Sequence, residues 1–138
     1  MKLKYDMQTL QWMKLFEDIT KAKIKDCFVH NEKLHFIVHP GNLFKALGEN
    51  KKNVTRLEDL LKKKVKIIEY SENMLKFIVN IMAPLKVVDI KNEEGIVTIT
   101  GPDQKTKGLM IGARAQNLRM FEGIVQKYFP ELKEIKVV

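Results

Sequence analysis

A single cysteine in 138 residues, Cys27, leaves no partner for an internal disulfide and no second thiolate for a zinc cage. Its neighbours Lys25, Asp26, Phe28 and Val29 read as a strand, which makes Cys27 a small buried apolar side chain and not a nucleophile. No apolar run approaches the roughly 18 residues that a membrane helix needs. The opening Met1-Lys2-Leu3-Lys4-Tyr5-Asp6 lacks the apolar stretch of a secretion signal, so a cytoplasmic location and no membrane partner are expected. Seven glycines are few, and none builds the G-x-x-x-x-G-K-[ST] loop of a nucleotide-binding site. The three histidines, His30, His35 and His39, are spread over one hairpin with no Cys or carboxylate at ligand spacing, which argues against a metal centre. Asp89, Glu93 and Glu94 surround a turn and do not form an acid/base pair, and no Ser-His-Asp or Cys-His set can be assembled. The expectation is a protein that is not an enzyme, with no cofactor and no small-molecule substrate.

What the chain does have is basic charge. A formal net charge of +8 and a pI near 9.5 favour a polyanionic partner, because each Lys or Arg brought near a phosphate releases condensed counterions. Hydrophobic residues make up 45% of the sequence, enough to bury a core in one ordinary domain or two small ones.

The apolar pattern favours two small ones. Trp12, Leu15, Phe16 and Ile19 fall at i, i+3, i+4, i+7 and place a helix over 7–19. Strands are expected over 24–29 and 34–38 around the turn His30-Asn31-Glu32-Lys33, and His39-Pro40-Gly41 stops the second. A short helix from Leu43 to Leu47 meets Gly48, a second helix carries Val54, Leu57 and Leu61, and a strand closes at 65–69. After Tyr70 the order starts again. Ser71 is the expected N-cap of a helix bearing Met74, Phe77, Ile78, Ile81 and Met82, which Ala83-Pro84 ends. Strands are expected at 87–90 and 96–100 around Asn92-Glu93-Glu94-Gly95, with Gly101-Pro102 standing where His39-Pro40 stood. Leu109 to Ile111 then leads into Gly112-Ala113-Arg114-Ala115, a helix with Leu118, Phe121 and Val125, and a last strand at 135–138.

Laying 47–54 over 111–118 puts Gly48 on Gly112 and Asn53 on Asn117, and further on Leu57 on Phe121, Glu58 on Glu122 and Leu61 on Val125. Element order, loop position and helical stripe repeat together, which marks two copies of one unit.

A glycine and a short polar turn ahead of a helix form a device for holding an anion, since the glycine admits close approach and the first-turn N–H groups point outward. The segments Leu47-Gly48-x-x-x-x-x-Val54 and Ile111-Gly112-x-x-x-x-x-Leu118 resemble the Ile-Gly-x-x-Gly-x-x-Ile signature of KH domains, which clamp about four nucleotides of single-stranded RNA. The order α-β-β-α-α-β is similar to the type II, prokaryotic arrangement. Two such units joined at Tyr70-Ser71 resemble the tandem KH pair of the archaeal NusA family, and Ile24-Lys25-Asp26-Cys27, Glu69-Tyr70-Ser71 and Ala83-Pro84-Leu85-Lys86-Val87 add to the resemblance, which covers nearly the whole chain. It implies an α+β fold of two KH type II units, 1–70 and 71–138, each with a three-stranded sheet packed on helices. It also implies binding of single-stranded or nascent RNA, and modulation of transcription elongation or termination.

The second glycine of the signature is absent, replaced by Lys51 in the first loop and Ala115 in the second. A Cβ at that place is expected to hold the backbone farther from a phosphate or to change the turn. Candidate RNA-binding residues are Lys45, Gly48, Glu49, Asn50, Lys51, Lys52 and Arg56 around the first loop, and Lys107, Gly112, Ala113, Arg114, Ala115 and Arg119 around the second. Lys105 lies nearby, and Asn53 and Asn117 either donate to RNA or bond locally. Lys62-Lys63-Lys64 reads as a basic helix terminus. The alternative function is a protein-interaction module on RNA polymerase or a ribosomal partner.

Overall fold

The computed structural model describes residues 6–138. The first five residues, on which the reading of the N-terminus rests in large part, lie outside this range. The chain divides into two compact units, one ending at Ser71 and the other running Glu72–Val138.

In the first unit the order is α1 (Met7–Thr20), β1 (Ile24–His30), β2 (Lys33–Val38), α2 (Leu43–Leu47), α3 (Lys52–Leu61) and β3 (Lys64–Glu69). Asp6 caps α1 by accepting from the Thr9 N–H at 2.7 Å, and Lys21 closes it in a left-handed conformation with its N–H on the Glu17 oxygen. The hairpin turn is tighter than the four polar residues suggested. Asn31 and Glu32 alone form it, with φ of 50° and 60°, the left-handed pair that matches strand twist. β1 therefore pairs antiparallel with β2, while the α2–α3 crossover returns the chain to place β3 parallel to β2. One face of this sheet carries Leu34, Phe36 and Val38 into a core with Phe16, Ala46, Leu57 and Val65. Phe16 stacks on Phe36 with ring centroids 4.4 Å apart. Cys27 is buried in the same core, and burial, with the Asp26 charge beside it, pushes its thiol up to about 12, so it is inert at neutral pH.

The second unit repeats the plan as α4 (Met74–Met82), β4 (Asp89–Glu93), β5 (Ile96–Thr100), α5 (Gln104–Ile111), α6 (Gln116–Tyr128) and β6 (Glu134–Val137). β4 pairs antiparallel with β5 and β6 parallel to β5, giving the same mixed three-stranded order. The protein is thus a mixed α+β fold with two small sheets. Three expectations need correction. Asn73, not Ser71, caps α4, its side chain accepting from the Lys76 N–H at 3.0 Å. The first strand of this unit is Asp89–Glu93 instead of 87–90, because the turn after Pro84, closed by the Leu85 N–H on the Met82 oxygen, delays the ladder, and because Glu94-Gly95, both at positive φ, make a two-residue turn. α5 begins at Gln104, capped by Asp103 on the Thr106 N–H at 2.7 Å, a full turn before the expected segment. Among the described residues no helix is long and apolar enough to cross a membrane.

Candidate nucleic-acid interface

Each unit turns sharply between its short and long helices, and the two turns have one geometry. Gly48 sits at φ 75°, ψ 167° and Gly112 at 76°, 172°. Asn50 and Arg114 lie at 54°, 30° and 55°, 31°. Lys51 and Ala115 lie at 58°, 28° and 59°, 25°. In both loops the residue at the second-glycine place donates its N–H to the oxygen of the first glycine, Lys51 to Gly48 at 3.0 Å and Ala115 to Gly112 at 3.2 Å. Lysine and alanine at the second-glycine place thus give one and the same turn. The physical reason is that the two glycine positions make different demands. The first lies in a region of φ/ψ space that is essentially closed to any residue with a Cβ. The second is ordinary left-handed backbone, which an L-residue enters at a cost of about 1–2 kcal/mol.

The first glycine is required for a second reason. The side-chain amide of Asn53 reaches back to donate to the Lys45 oxygen at 3.2 Å, and that of Asn117 to the Leu109 oxygen at 2.9 Å. Each asparagine thereby lies against its glycine, so that a Cβ on Gly48 would fall 2.9 Å from the Asn53 Cγ and one on Gly112 2.7 Å from the Asn117 Cγ. The pairs Gly48–Asn53 and Gly112–Asn117 are one structural device, tying the short helix to the long one. Local bonding is the role of these two asparagines.

The helices that follow the loops open without a side-chain cap. Lys51 precedes α3 and Ala115 precedes α6, and neither makes a capping bond, whereas α1, α4 and α5 are each capped by Asp or Asn. A helix start of this kind offers N–H donors and the positive end of the helix dipole to an anion.

The candidate cations separate on inspection. Lys51, Lys52 and Arg114 are exposed on the loops or the first residue beyond, with Glu49, Asn50 and Ala113 exposed beside them. Arg56 is exposed one turn along α3. Lys45 instead lines a cleft with Glu17, Asp18, Lys21, Lys23 and Asn42 at the end of α1. Lys107 lays its stem over Gly101, where a Cβ would meet its Cγ at 2.7 Å. Arg119 pairs with Glu122 at 3.0 Å, and Glu122 is 7% exposed with its other carboxylate oxygen accepting from the Ile135 N–H at 2.8 Å. Lys62, Lys63 and Lys64 converge with Lys33 on a separate cleft beside Asn31 and Glu32, whose lining includes no residue of the Gly48 loop.

Two features of the repeat carry roles that the residue letters alone do not disclose. Glu58 accepts from the Val65 N–H at 2.9 Å just as Glu122 accepts from that of Ile135, so each ties its long helix to the third strand of its sheet. Phe44, one turn ahead of Gly48, is 88% exposed.

Two copies of one α+β unit, each with a glycine turn ahead of a helix that lacks a side-chain cap, define the class: a tandem repeat of a small mixed unit. Comparison with known proteins narrows the class. The chain is 30% identical over 140 residues to the probable transcription termination protein NusA of Methanocaldococcus jannaschii, covering 99% of this chain and 76% of that one. It is 30% identical over 141 residues to the protein of that name from Methanococcus vannielii, covering all of this chain and 81% of that one, and 25% identical over 129 residues to the one from Thermoplasma acidophilum, covering 90% and 88%. The chain belongs to the archaeal NusA family. The crystal structure of APE1850 shares its fold, with a TM-score of 0.72 and 22% identity over 97% of this chain and all of that one. No family model matches the sequence.

Proposed function

We propose that the two units are KH domains of type II and that the protein binds single-stranded, nascent RNA at its two glycine loops, modulating transcription elongation or termination in association with RNA polymerase. The observation that carries this reading is the loop backbone, held in one left-handed conformation twice over, at the cost of two strained residues each time, ahead of two helices without side-chain caps. Backbone strain kept at the same place in both units is of the kind that clusters at ligand-binding surfaces. Phosphate oxygens take first-turn N–H groups of α3 and α6 beyond those of Lys52 and Gln116, which already donate to the Glu49 and Ala113 oxygens, Lys51, Lys52 and Arg114 supply long-range attraction, and no bond is made or broken. The family's name for its members, transcription termination protein, supports RNA as the polyanion.

The test is a fluorescence titration with a short unpaired RNA at two salt concentrations. Affinity should fall steeply with salt, by a log–log slope of about 0.7 for each phosphate neutralised on a single strand. Lys51→Glu combined with Arg114→Glu should weaken binding well beyond any change in melting temperature. Binding absent at low salt, or indifferent to both charge reversals, would sink the reading.

A further inference from the structure

Phe44 is the most exposed large apolar side chain among the described residues, at 88%, and it stands beside the first loop on a helix whose other apolar residues, Leu43, Ala46 and Leu47, are buried or half-buried. Its place in the repeat can be fixed from main-chain bonds. The Gly48 N–H donates to the Phe44 oxygen at 3.0 Å, and the Gly112 N–H donates to the Gly108 oxygen at 2.8 Å, so Phe44 corresponds to Gly108. A Cβ on Gly108 would meet nothing within 4 Å. This register therefore faces open space in the second unit, as the exposure of Phe44 indicates in the first, and the aromatic ring has no folding role to explain it.

Its surroundings are those of a nucleic-acid surface. One helical turn, about 5.4 Å, separates Phe44 from Gly48, and the Lys52 stem passes 3.2 Å from where a Cβ on Gly48 would lie, so that an exposed aromatic, the glycine turn and a cation follow one another along the chain. Lys51 adds a second exposed cation at the same turn. An exposed aromatic next to phosphate-binding groups is the arrangement by which proteins stack an unpaired base without reading its sequence. A protein partner would instead be met by a broader apolar patch with few charges at its centre.

We infer that Phe44 is a stacking platform for one unpaired base of the RNA held at the Gly48 loop, and that the two units are unequal, the first gripping base and backbone and the second, with Gly108, the backbone only. The inference rests on the RNA-binding reading given above. The full chain is titrated with a short single-stranded RNA carrying 2-aminopurine, whose fluorescence falls when the purine stacks. Phe44→Ala should lose the quenching and about 5- to 100-fold in affinity, with the salt slope unchanged because no phosphate contact is removed. Phe44→Trp should restore both, and an abasic substitution at the quenched position should weaken the wild type by the same factor while leaving Phe44→Ala unaffected. RNA binding that is intact in Phe44→Ala, with quenching preserved, overturns the stacking role while leaving the RNA reading standing. A wild-type chain that binds no RNA overturns both. Loss of RNA polymerase capture by Phe44→Ala with unaltered RNA affinity also overturns it, and assigns the ring to a protein partner.

Discussion

The side chain of Asn117 reaches across eight residues to the main-chain oxygen of Leu109, donating at 2.9 Å over the face of Gly112, and Asn53 repeats the bond to Lys45 over Gly48 at 3.2 Å. In each unit this bond links the short helix to the long one across the loop. Asn117→Ala should cost about 1 kcal/mol, the net worth of an intramolecular hydrogen bond, and Asn53→Ala a similar amount. Urea unfolding midpoints measure it, and variants as stable as the wild type would show the bond to be incidental.

The glycines under those amides should tolerate no substitution. Gly112→Ala places a Cβ 2.7 Å from the Asn117 Cγ on backbone at φ 76°, ψ 172°, so it combines overlap with forbidden dihedrals. A loss of about 3 kcal/mol or more is expected, at the upper end for strain at a special backbone position. At the second-glycine place the sign reverses. Ala115→Gly relieves about 1–2 kcal/mol of left-handed strain and gives back about 0.5–1 kcal/mol of chain entropy, so it should stabilise slightly. Lys51→Gly should do the same. A destabilised Ala115→Gly would mean that the loop in solution is not left-handed at that residue.

This contrast marks where the sequence stops being informative. The repeat, the order of elements and the long helices could be read from apolar periodicity, because Phe16, Leu57, Phe77 and Phe121 each bury one face of their helix. The missing second glycine was legible as a letter, but its consequence was not, since nothing in Lys51 or Ala115 states that the position needs only left-handed backbone. α5 was read short because Lys105, Lys107 and the central Gly108 leave it no apolar stripe, and its start depends on the Asp103 cap. Among the candidate cations, charge alone could not separate Lys51 and Arg114 from Lys45, whose cleft is lined by distant residues at the end of α1, or from Lys107 and Arg119, whose local contacts with Gly101 and Glu122 depend on the folded backbone. Phe44 does not stand out in the sequence, because a five-residue helix is too short for periodicity to tell the outward apolar position from the inward ones.

The paired glutamates should matter for folding and not for binding. Glu122→Ala leaves the buried Ile135 N–H without its acceptor at 2.8 Å and should cost about 1–3 kcal/mol. Glu58→Ala at the half-buried counterpart should cost less. Arg119→Ala removes the partner of a carboxylate that is itself buried, so part of any lost RNA affinity would follow lost stability. Melting curves run beside titrations separate the two, and a Glu122→Ala protein that melts with the wild type would remove the tie between α6 and β6.

Protonation of His35 should set an acid limit on stability. His35 is 5% exposed on β2, its ring stacked on Phe28 at 4.6 Å, and neither ring nitrogen has a well-formed hydrogen bond, the His30 main chain offering at most a weak one. Burial first, then the charges of Lys66, Lys33 and His30, push its pKa down from 6.5 to about 4. Between those values the unfolded chain binds a proton that the folded chain refuses, so the folded state is undisturbed above pH 6.5 and loses stability as the pH falls toward 4. The loss at pH 5 amounts to about 2 kcal/mol. His35→Leu fills a similar volume, buries no unpaired nitrogen and removes this proton from the balance. It should raise stability modestly at pH 7.5 and by a larger margin at pH 5. Exposed carboxylates such as Asp6 and Asp103, and the partly exposed His39, titrate alike in both proteins and cancel in the difference. Urea midpoints at the two pH values give that difference directly, and equal margins at pH 7.5 and pH 5 would mean that His35 takes up its proton in the folded state as freely as in the unfolded one.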